Sequence, residues 1–402
     1  MMRRGNNERI SKTQGILTIE AGGLVEDDLA VHIPFLAPSL AGSQVDWNYT
    51  TIPQIGLRNR TINIARGFVL GGSSCINQMT YHQPSNVSWD DLADLVDDPS
   101  LSREAVQKYW LRTSRPVDPV DGHDSTGQVV PSANGFGPVN VSLFSYTKPI
   151  RESIIETTRK EVILSVGFIG SPKILTLSGI GPERERERLG IPLMLESPDV
   201  GANLQDHVLL PLYFNLVNRT DTNDDLSRNA TLRQESIDQW IANRTGSMVN
   251  GQSNTVAYLR VEDAHLSSTG VKEDPSNGAG SAHVEILARA GFSRQSTIPA
   301  PPTGQFLTLS AALVAPLSSG NITLTSADPF AYPLINANYL PHQFDQAAIV
   351  QAMKDILVFV QLSPLIALSP GPTVQSLMRR PMWSCWNMQR NMGQARIMEV
   401  VR

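Results

Sequence analysis

The sequence predicts an α/β or α+β fold, because segments typical of strands and of helices alternate along the chain. Residues 15–23 and 159–167 are short apolar runs of the kind that forms buried strands. Residues 344–362 carry apolar side chains at the spacing of one helix face, among them Ile349 and Met353. No internal repeat interrupts this alternation.

The composition fits a soluble globular protein with a sizeable core. The chain has 402 residues, of which 41% are hydrophobic and 18% are charged, and its formal net charge is −5. This acidic balance argues against a nucleic-acid partner. No apolar run approaches the roughly 18 residues that a membrane span needs, so no membrane partner is predicted.

The segment PERERERLG, residues 182–190, predicts a short surface helix. Pro182 suits its first turn and Gly190 its C-terminal stop. Its alternating charges place Glu183 near Arg186 at i,i+3. We therefore expect a solvated face rather than a binding site.

The middle of the chain predicts several strands separated by polar loops. The segment NITLTSADPFAYPLINANYL is interpreted as a strand, a turn and an extended segment, and two segments rich in glycine or proline are interpreted as exposed loops. The predicted strands are 255–261, 282–287 and 306–314, and the loops are 273–281 and 296–304.

The stretch ARGFVLGGSSCINQMTY has the composition of a ligand-binding turn. Gly71 and Gly72 let the backbone approach a ligand without a Cβ in the way. Ser73 and Ser74 add hydroxyls and Asn77 adds an amide, and successive backbone N–H groups in such a turn can bind an anion. Composition alone also fits a flexible turn.

A strand pattern that ends at Glu20 and continues into two glycines is typical of the second strand of a dinucleotide-binding βαβ unit. There the acidic side chain accepts hydrogen bonds from ribose hydroxyls. The glycine fingerprint expected about 20 residues upstream does not occur before Glu20. Alone, the segment also fits an ordinary glutamate in a turn.

Four segments, in this order, resemble the glucose–methanol–choline (GMC) family of flavin-dependent oxidoreductases. They are TIEAGG (18–23), RGFVLGGSSCIN (66–77), GFIGSPKILTLSGIGP (167–182) and VGANLQDH (200–207). The second and third match the two family signatures almost letter for letter. The segment 316–340 is similar to part of the family's substrate-domain sheet.

The resemblance covers most of the chain between position 15 and about position 362, and it implies an α/β fold of two domains. One is an incomplete Rossmann-like FAD-binding domain formed by 15–110 and 159–210. The other is an α+β substrate domain built on an antiparallel sheet, formed by 111–158 and 211–345. A helix returning to the FAD domain and an atypical tail would occupy 346–402.

The resemblance also implies FAD as the cofactor. Glu20 would hold the adenosine ribose, and the segment that begins at Gly71 would run along the FAD near its pyrophosphate and flavin ring. The last residues of this segment would continue beneath the isoalloxazine. The cofactor-binding residues implied are Glu20, Gly71, Gly72, Ser73, Ser74, Asn77, Gln78, Met79 and Thr80.

The implied reaction is the oxidation of a CH–OH group in a small-molecule alcohol or sugar, with hydride transfer to flavin and proton transfer to a histidine. In the family that histidine follows the long helix, and 363–402 contain no histidine. His207 is expected to be structural, so no catalytic residue is predicted. The alternative is a catalytically inactive family remnant, or a faulty gene-model product, with at most a binding role.

Three parts of the family pattern are absent from this chain. They are the N-terminal glycine fingerprint, an internal segment near 150–160 and the C-terminal histidine motif. We therefore expect a truncated member of the family.

Other chemistries find little support. The segment DGHDSTG, residues 121–127, has metal-type ligands, but such glycine-bearing turns are more often solvated, and no metal is predicted. The nucleophile motif G-x-S-x-G is absent. Cys75 and Cys385 have no spacing that indicates a bridge or a metal site.

Eight N-x-S/T sequons predict a glycosylated protein of a secreted lineage. The N-terminal basic residues are not followed by an apolar segment, so no signal peptide is predicted in this chain. The sequons begin at Asn48, Asn59, Asn86, Asn140, Asn218, Asn229, Asn243 and Asn321.

Overall fold

The computed structural model describes most of the chain between positions 20 and 362. The predicted strand at 15–23 lies outside the described residues up to position 19, and the one at 159–167 lies outside them up to position 163. The described ranges are 20–25, 28–79, 86–118, 135–141, 164–216, 222–251, 253, 255–261, 269–271, 274–278, 280–293 and 299–362.

Helices and strands alternate within these ranges. The α-helices are α1 (Leu29–His32), α2 (Asn86–Leu95), α3 (Arg103–Trp110), α4 (Gly167–Leu177), α5 (Glu183–Leu189), α6 (Asp224–Arg228), α7 (Ala230–Asn243) and α8 (Gln343–Leu362). The strands are β1 (Tyr49–Thr50), β2 (Asn63–Ile64), β3 (Ser114–Pro116), β4 (Val139–Val141), β5 (Ile180–Gly181), β6 (Leu195–Glu196), β7 (Val208–Leu216), β8 (Thr255–Leu259), β9 (Val284–Ala290), β10 (Gln305–Leu313), β11 (Asn321–Thr323) and β12 (Leu334–Asn336).

The main sheet has four antiparallel strands in the order β7-β10-β9-β8. Strand β10 lies inside it and pairs with β7 along its whole length, with Leu309 opposite Leu212. Side chains such as Leu313, which is fully buried, fill the core on this sheet. Burial of one such leucine contributes about 1.5–3 kcal/mol. The antiparallel sheet expected for the substrate domain is thus confirmed, as are its strands at 255–261, 282–287 and 306–314.

Helix α8 packs against this sheet, as its apolar spacing predicted. It spans Gln343–Leu362, and Phe344 and Ala348, one turn apart, are both fully buried. Buried Asp345 accepts hydrogen bonds from the backbone N–H groups of Leu317 (2.9 Å) and Ser318 (2.8 Å). The helix therefore also anchors the loop that follows β10.

Helix α5 follows its predicted bounds, but its face is not fully solvated. It spans Glu183–Leu189 and ends at Gly190, whose φ of 66° is left-handed, a conformation that glycine adopts readily. The prediction of a solvated face is wrong for Arg186, which is only 1% exposed. Its Nε donates to the Gly181 carbonyl (3.3 Å), and its Nη2 lies 3.5 Å from Glu196 Oε2. The helix uses this arginine to pack against β5 and β6.

The predicted loop at 273–281 is tied to the sheet by a polar network. Arg260 forms an ion pair with Asp274 and donates hydrogen bonds to Ser276 Oγ (2.9 Å) and the Ser281 carbonyl (2.9 Å). Asp274 Oδ1 also lies 2.8 Å from Nε2 of His283, which is fully buried. The loop is thus held against the start of β9.

Candidate functional site

The glycine turn, residues 71–75, begins with a left-handed residue. Gly71 has φ +100°, and a Cβ at this position would lie 2.7 Å from Cys75 Sγ. A 3-10 helix, Gly72–Cys75, follows. The backbone N–H of Gly67 donates to Ser73 Oγ (3.1 Å), which holds the turn against the preceding segment. The local sequence thus requires glycine at position 71.

Gly72 presents bare backbone to open space. It has φ +56°, and a Cβ built on it would meet no atom within 4 Å. By contrast, a Cβ on Gly67 would lie 2.2 Å from the Gly72 carbonyl oxygen, so that glycine is required for packing. The free side of Gly72 is the kind of surface on which a ligand can lie directly against the main chain.

The structure brings Glu20 to the glycine turn. The N–H of Leu70 donates to the carbonyl of Gly23 (2.9 Å), so the segment after Glu20 runs beside the start of the turn. Burial raises the pKa of the Cys75 thiol, and the negative charge of Glu20 raises it further. The Glu20 side chain is exposed, and its Oε1 accepts a hydrogen bond from the N–H of Gly22 (2.9 Å). Two predicted cofactor-binding segments therefore lie together.

The other predicted site residues surround the same turn. Ser74 and Asn77 are exposed, and Asn77 Oδ1 accepts a hydrogen bond from the N–H of Met79 (2.9 Å). Gln78 is half-buried, and Met79 is exposed with a left-handed φ of 60°. Thr80 lies outside the described residues. The amide nitrogen of Asn77 remains free to donate because its oxygen is used within the turn.

A cavity of about 610 Å³ opens near the turn, and sequence reasoning had not singled it out. Its walls come from three separate segments of the chain, and two of these segments are the third and fourth family-like motifs. The lining residues are Arg66, Phe168, Ser171, Pro172, Leu175, Val200, Gly201, Ala202, Asn203, Leu204, Gln205, Asp206 and Ile322.

One face of α4 forms the first wall. The helix starts at Gly167, which has φ +75°. Phe168, Ser171, Pro172 and Leu175 line the cavity at intervals of three, one and three residues. This spacing places them on one side of a helix.

The loop 200–206 forms the second wall and is held by backbone hydrogen bonds. The N–H of Ile322 donates to the Gly201 carbonyl (2.7 Å), and the N–H of Leu204 donates to the Gly320 carbonyl (3.0 Å). A Cβ on Gly201 would lie 2.3 Å from the Ile322 carbonyl oxygen. The glycine in this motif therefore permits a close approach between the loop and β11.

Arg66 supplies the positive charge of the cavity. Its guanidinium carbon lies 4.5 Å from the ring centre of Phe168. Its Nε is buried without a hydrogen-bond partner. Burial lowers the pKa of Arg66, and the charges of Asp206 and Asp46 partly oppose that change.

No histidine of the described ranges has been placed as a catalytic base. His283 has no ring nitrogen left for a substrate, because Nδ1 accepts from the N–H of Val261 (3.0 Å) and Nε2 lies 2.8 Å from Asp274 Oδ1. His207 is exposed, and its backbone N–H rather than its ring bonds Asp206 Oδ1 (3.0 Å).

Metal and membrane sites were searched over the same residues. Across the described part of the chain, no group of three or more histidine, cysteine or acidic side chains converges on one point. No helix in the described ranges is long and apolar enough to cross a lipid bilayer.

Two family models match this sequence, and both are described as GMC oxidoreductase. The N-terminal model matches residues 141–209, and the C-terminal model matches residues 316–399. The chain belongs to the GMC oxidoreductase family. The first match contains α4 and almost all of the loop 200–206, so the cavity walls are part of the family's N-terminal module.

Curated relatives of this GMC oxidoreductase are enzymes of fungi. Pyranose dehydrogenase 3 of Leucoagaricus meleagris is 28% identical over 84% of this chain and 71% of its own length. Patulin synthase of Aspergillus clavatus is 26% identical over 87% of this chain and 72% of its own length. These relatives have names that refer to sugar or alcohol chemistry.

Solved structures share the fold of this GMC oxidoreductase. A variant of the formate oxidase of Aspergillus oryzae, studied for FAD modification, superimposes with a TM-score of 0.76. It is 21% identical, and the match covers 92% of this chain and 81% of that chain. A fungal aryl-alcohol oxidase superimposes with a TM-score of 0.67 at 16% identity, covering 91% of this chain and 83% of that one.

Proposed function

We propose that this GMC oxidoreductase binds FAD and oxidises a CH–OH group of a small alcohol or sugar, with hydride transfer to the flavin. The observation that carries the proposal is the bare backbone of Gly72, which faces open space beside Glu20. Bound FAD would supply the hydride acceptor, because in such enzymes the cofactor carries the electron chemistry.

The chain's own residues would bind and orient the dinucleotide. Glu20 uses one carboxylate oxygen locally, so the other remains available to accept from ribose hydroxyls. Gly72 would let the cofactor lie against the main chain. The exposed Ser74 hydroxyl and the Asn77 amide nitrogen are further donors. These residue types fit the polar atoms of a dinucleotide.

The proposal assigns no proton acceptor. His283 is fully engaged in the loop network, and 363–402 contain no histidine. Loss of a general base lowers a rate by about 10²–10⁴-fold. We therefore expect cofactor binding to be measurable where alcohol oxidation is slow. A chain that binds FAD without turnover is the second candidate, and the missing histidine favours it.

Flavin retention tests the binding step. The purified chain is incubated with excess FAD, desalted, and examined for the visible flavin spectrum. Gly72→Val should lose the flavin because its side chain would occupy the free space above the turn. Gly190→Val is the matched control, since Gly190 is also left-handed with no atom within 4 Å of its Cβ but ends the distant helix α5.

Equal flavin content in wild type, Gly72→Val and Gly190→Val would contradict the assignment of the turn. If flavin is retained, anaerobic mixing with a panel of alcohols and sugars tests the reaction. Bleaching of the flavin band by any of them supports oxidation, and a band that none of them bleaches supports the binding-only candidate.

A further inference from the structure

Asp46, one of two carboxylates whose charge acts on Arg66, is already committed to backbone donors. Its Oδ1 accepts from the N–H groups of Asn48 (3.1 Å) and Arg66 itself (2.8 Å). Its Oδ2 accepts from the N–H of Gly42 (2.8 Å). Asp46 therefore holds the backbone around Arg66 rather than the guanidinium.

Asp206, the other carboxylate, is committed as well. Its Oδ2 accepts from the hydroxyl of Tyr339, and its Oδ1 accepts from the N–H of His207 (3.0 Å). Burial raises the pKa of Tyr339, and the charge of Asp206 raises it further, so the tyrosine stays protonated and keeps donating. The one acidic side chain in the cavity wall thus faces a permanent donor.

The Arg66 guanidinium is left without a partner. Its Nε is buried with no acceptor, and no carboxylate of the described residues lies within the 4.0 Å of an ion pair. Phe168 packs against it at 4.5 Å and fixes its plane. An unpaired buried donor that carries charge is costly, and an anion with two oxygens would satisfy the guanidinium fork.

The cavity is continuous with the glycine turn through Gly67, the residue after Arg66. The N–H of Gly67 donates to Ser73 Oγ (3.1 Å), and a Cβ there would lie 2.2 Å from the Gly72 carbonyl oxygen. The backbone that carries Arg66 is therefore pressed against the turn. A ligand that lies on Gly72 can reach the cavity without leaving the protein surface.

We infer that Arg66 binds the diphosphate of a dinucleotide at the cavity formed by α4 and the loop 200–206. The inference rests on the proposed function, because it assigns the anionic part of the cofactor whose remainder would lie on the glycine turn. The diphosphate is the part of FAD whose charge complements a guanidinium. The cavity volume of about 610 Å³ leaves room for the diphosphate and a flanking sugar.

The test compares binding of FAD, ADP, inorganic pyrophosphate and riboflavin by titration calorimetry. Arg66→Met removes the charge and keeps a stem that can pack on Phe168, whereas Arg66→Lys keeps the charge without the fork. The matched control is Arg184→Met, because Arg184 is exposed on α5. Arg66→Met should weaken FAD, ADP and pyrophosphate by about 10- to 100-fold, and Arg66→Lys by less. Riboflavin binding and the Arg184→Met variant should be unchanged.

The outcomes separate this inference from the proposed function. If wild type retains FAD and Arg66→Met binds FAD and ADP equally well, the diphosphate assignment is overturned and the proposed function stands. If wild type retains no flavin, the proposed function fails, while pyrophosphate binding that Arg66→Met abolishes still supports an anion site. An equal loss of riboflavin binding would overturn the assignment to diphosphate. Should Arg66→Met not fold, wild-type chain that binds neither ADP nor pyrophosphate overturns the inference, and weaker binding by folded Arg66→Lys supports it.

Discussion

Nε2 of His283 lies 2.8 Å from Oδ1 of Asp274, and neither residue lines the cavity. The pair has the geometry of an acid–base dyad, but Nδ1 of the same ring accepts a hydrogen bond from Val261. Arg260 completes the network from the other carboxylate oxygen. The His–Asp pair therefore holds a loop on the sheet, and its effects should appear in stability.

Asp274→Ala should lower the free energy of unfolding by about 2–4 kcal/mol, because it leaves buried His283 and the Arg260 guanidinium without their acceptor. Urea unfolding at neutral pH measures the change. Asp94→Ala, at an exposed position of α2, is the control and should stay within about 0.5 kcal/mol of wild type. Equal stability of the two variants would contradict a structural role for Asp274.

The same carboxylate predicts acid sensitivity. Burial alone would raise the pKa of Asp274, but hydrogen bonds from Arg260, His283 and Ser276 outweigh it and hold the pKa well below its usual range. A carboxylate whose pKa is lower in the folded state stabilises the fold above the unfolded pKa of about 3.9, and that stability is lost as pH falls below it. Wild type should lose more stability than Asp274→Asn between about pH 5 and pH 2. Parallel pH profiles would refute the claim.

Two arginines on α5 should respond very differently to truncation. Arg186→Ala removes a side chain that is 1% exposed and bonded to the Gly181 carbonyl, so we expect a loss of about 1–3 kcal/mol. Arg184→Ala, two positions earlier on the exposed side, should change stability by less than about 0.5 kcal/mol. Thermal unfolding of both variants decides, and similar melting temperatures would count against the buried role.

Tyr49 should resist ionisation. Burial, followed by the neighbouring Tyr332, raises the pKa of Tyr49 to about 12. Because the folded pKa exceeds the unfolded value of about 10, its contribution to stability is complete below pH 10 and is lost as pH rises toward 12. Ultraviolet difference titration of wild type against Tyr49→Phe gives the pKa directly. A phenol that titrates near pH 10 in the folded protein would disprove the burial effect.

Glycosylation should distinguish Asn59 from Asn48. Both are exposed members of sequons, but Nδ2 of Asn48 donates to the carbonyls of Asp46 (3.0 Å) and Ser43 (3.3 Å), whereas no such bond holds Asn59. The glycan is attached through that nitrogen, so modification of Asn48 would break both bonds. In a secretory host, peptide mapping after glycosidase treatment should find Asn59 modified more fully. Equal occupancy would contradict the expectation.

Local patterns predicted α5, α8 and the main strands because each is determined by spacing or by stop residues such as Gly190. The fate of Arg186 could not be predicted from its helix, since its burial depends on β5 and β6, which lie beyond the helix in the chain. Charge alternation describes a helix in isolation. It does not describe the surface on which the helix packs.

The candidate site was predicted in part for the same reason. Gly71 and Gly72 are adjacent in sequence, so the turn was evident from composition. The cavity joins Arg66 to segments about a hundred and more residues away, and the unpaired state of its guanidinium depends on the hydrogen bonds of Asp46 and Asp206. The arginine immediately before the glycine motif was the available signal, but nothing in the sequence showed that its neighbours were committed elsewhere.

The position of β10 inside the main sheet sets an order on biosynthesis. Its partner β7 is made roughly a hundred residues earlier, which at about 5–20 residues per second is a delay of about 5–20 s. During that interval the apolar β7 has no strand to pair with, and unpaired edges promote association between nascent chains. Translation speed across 217–304 is therefore a variable that should govern the soluble yield of this protein.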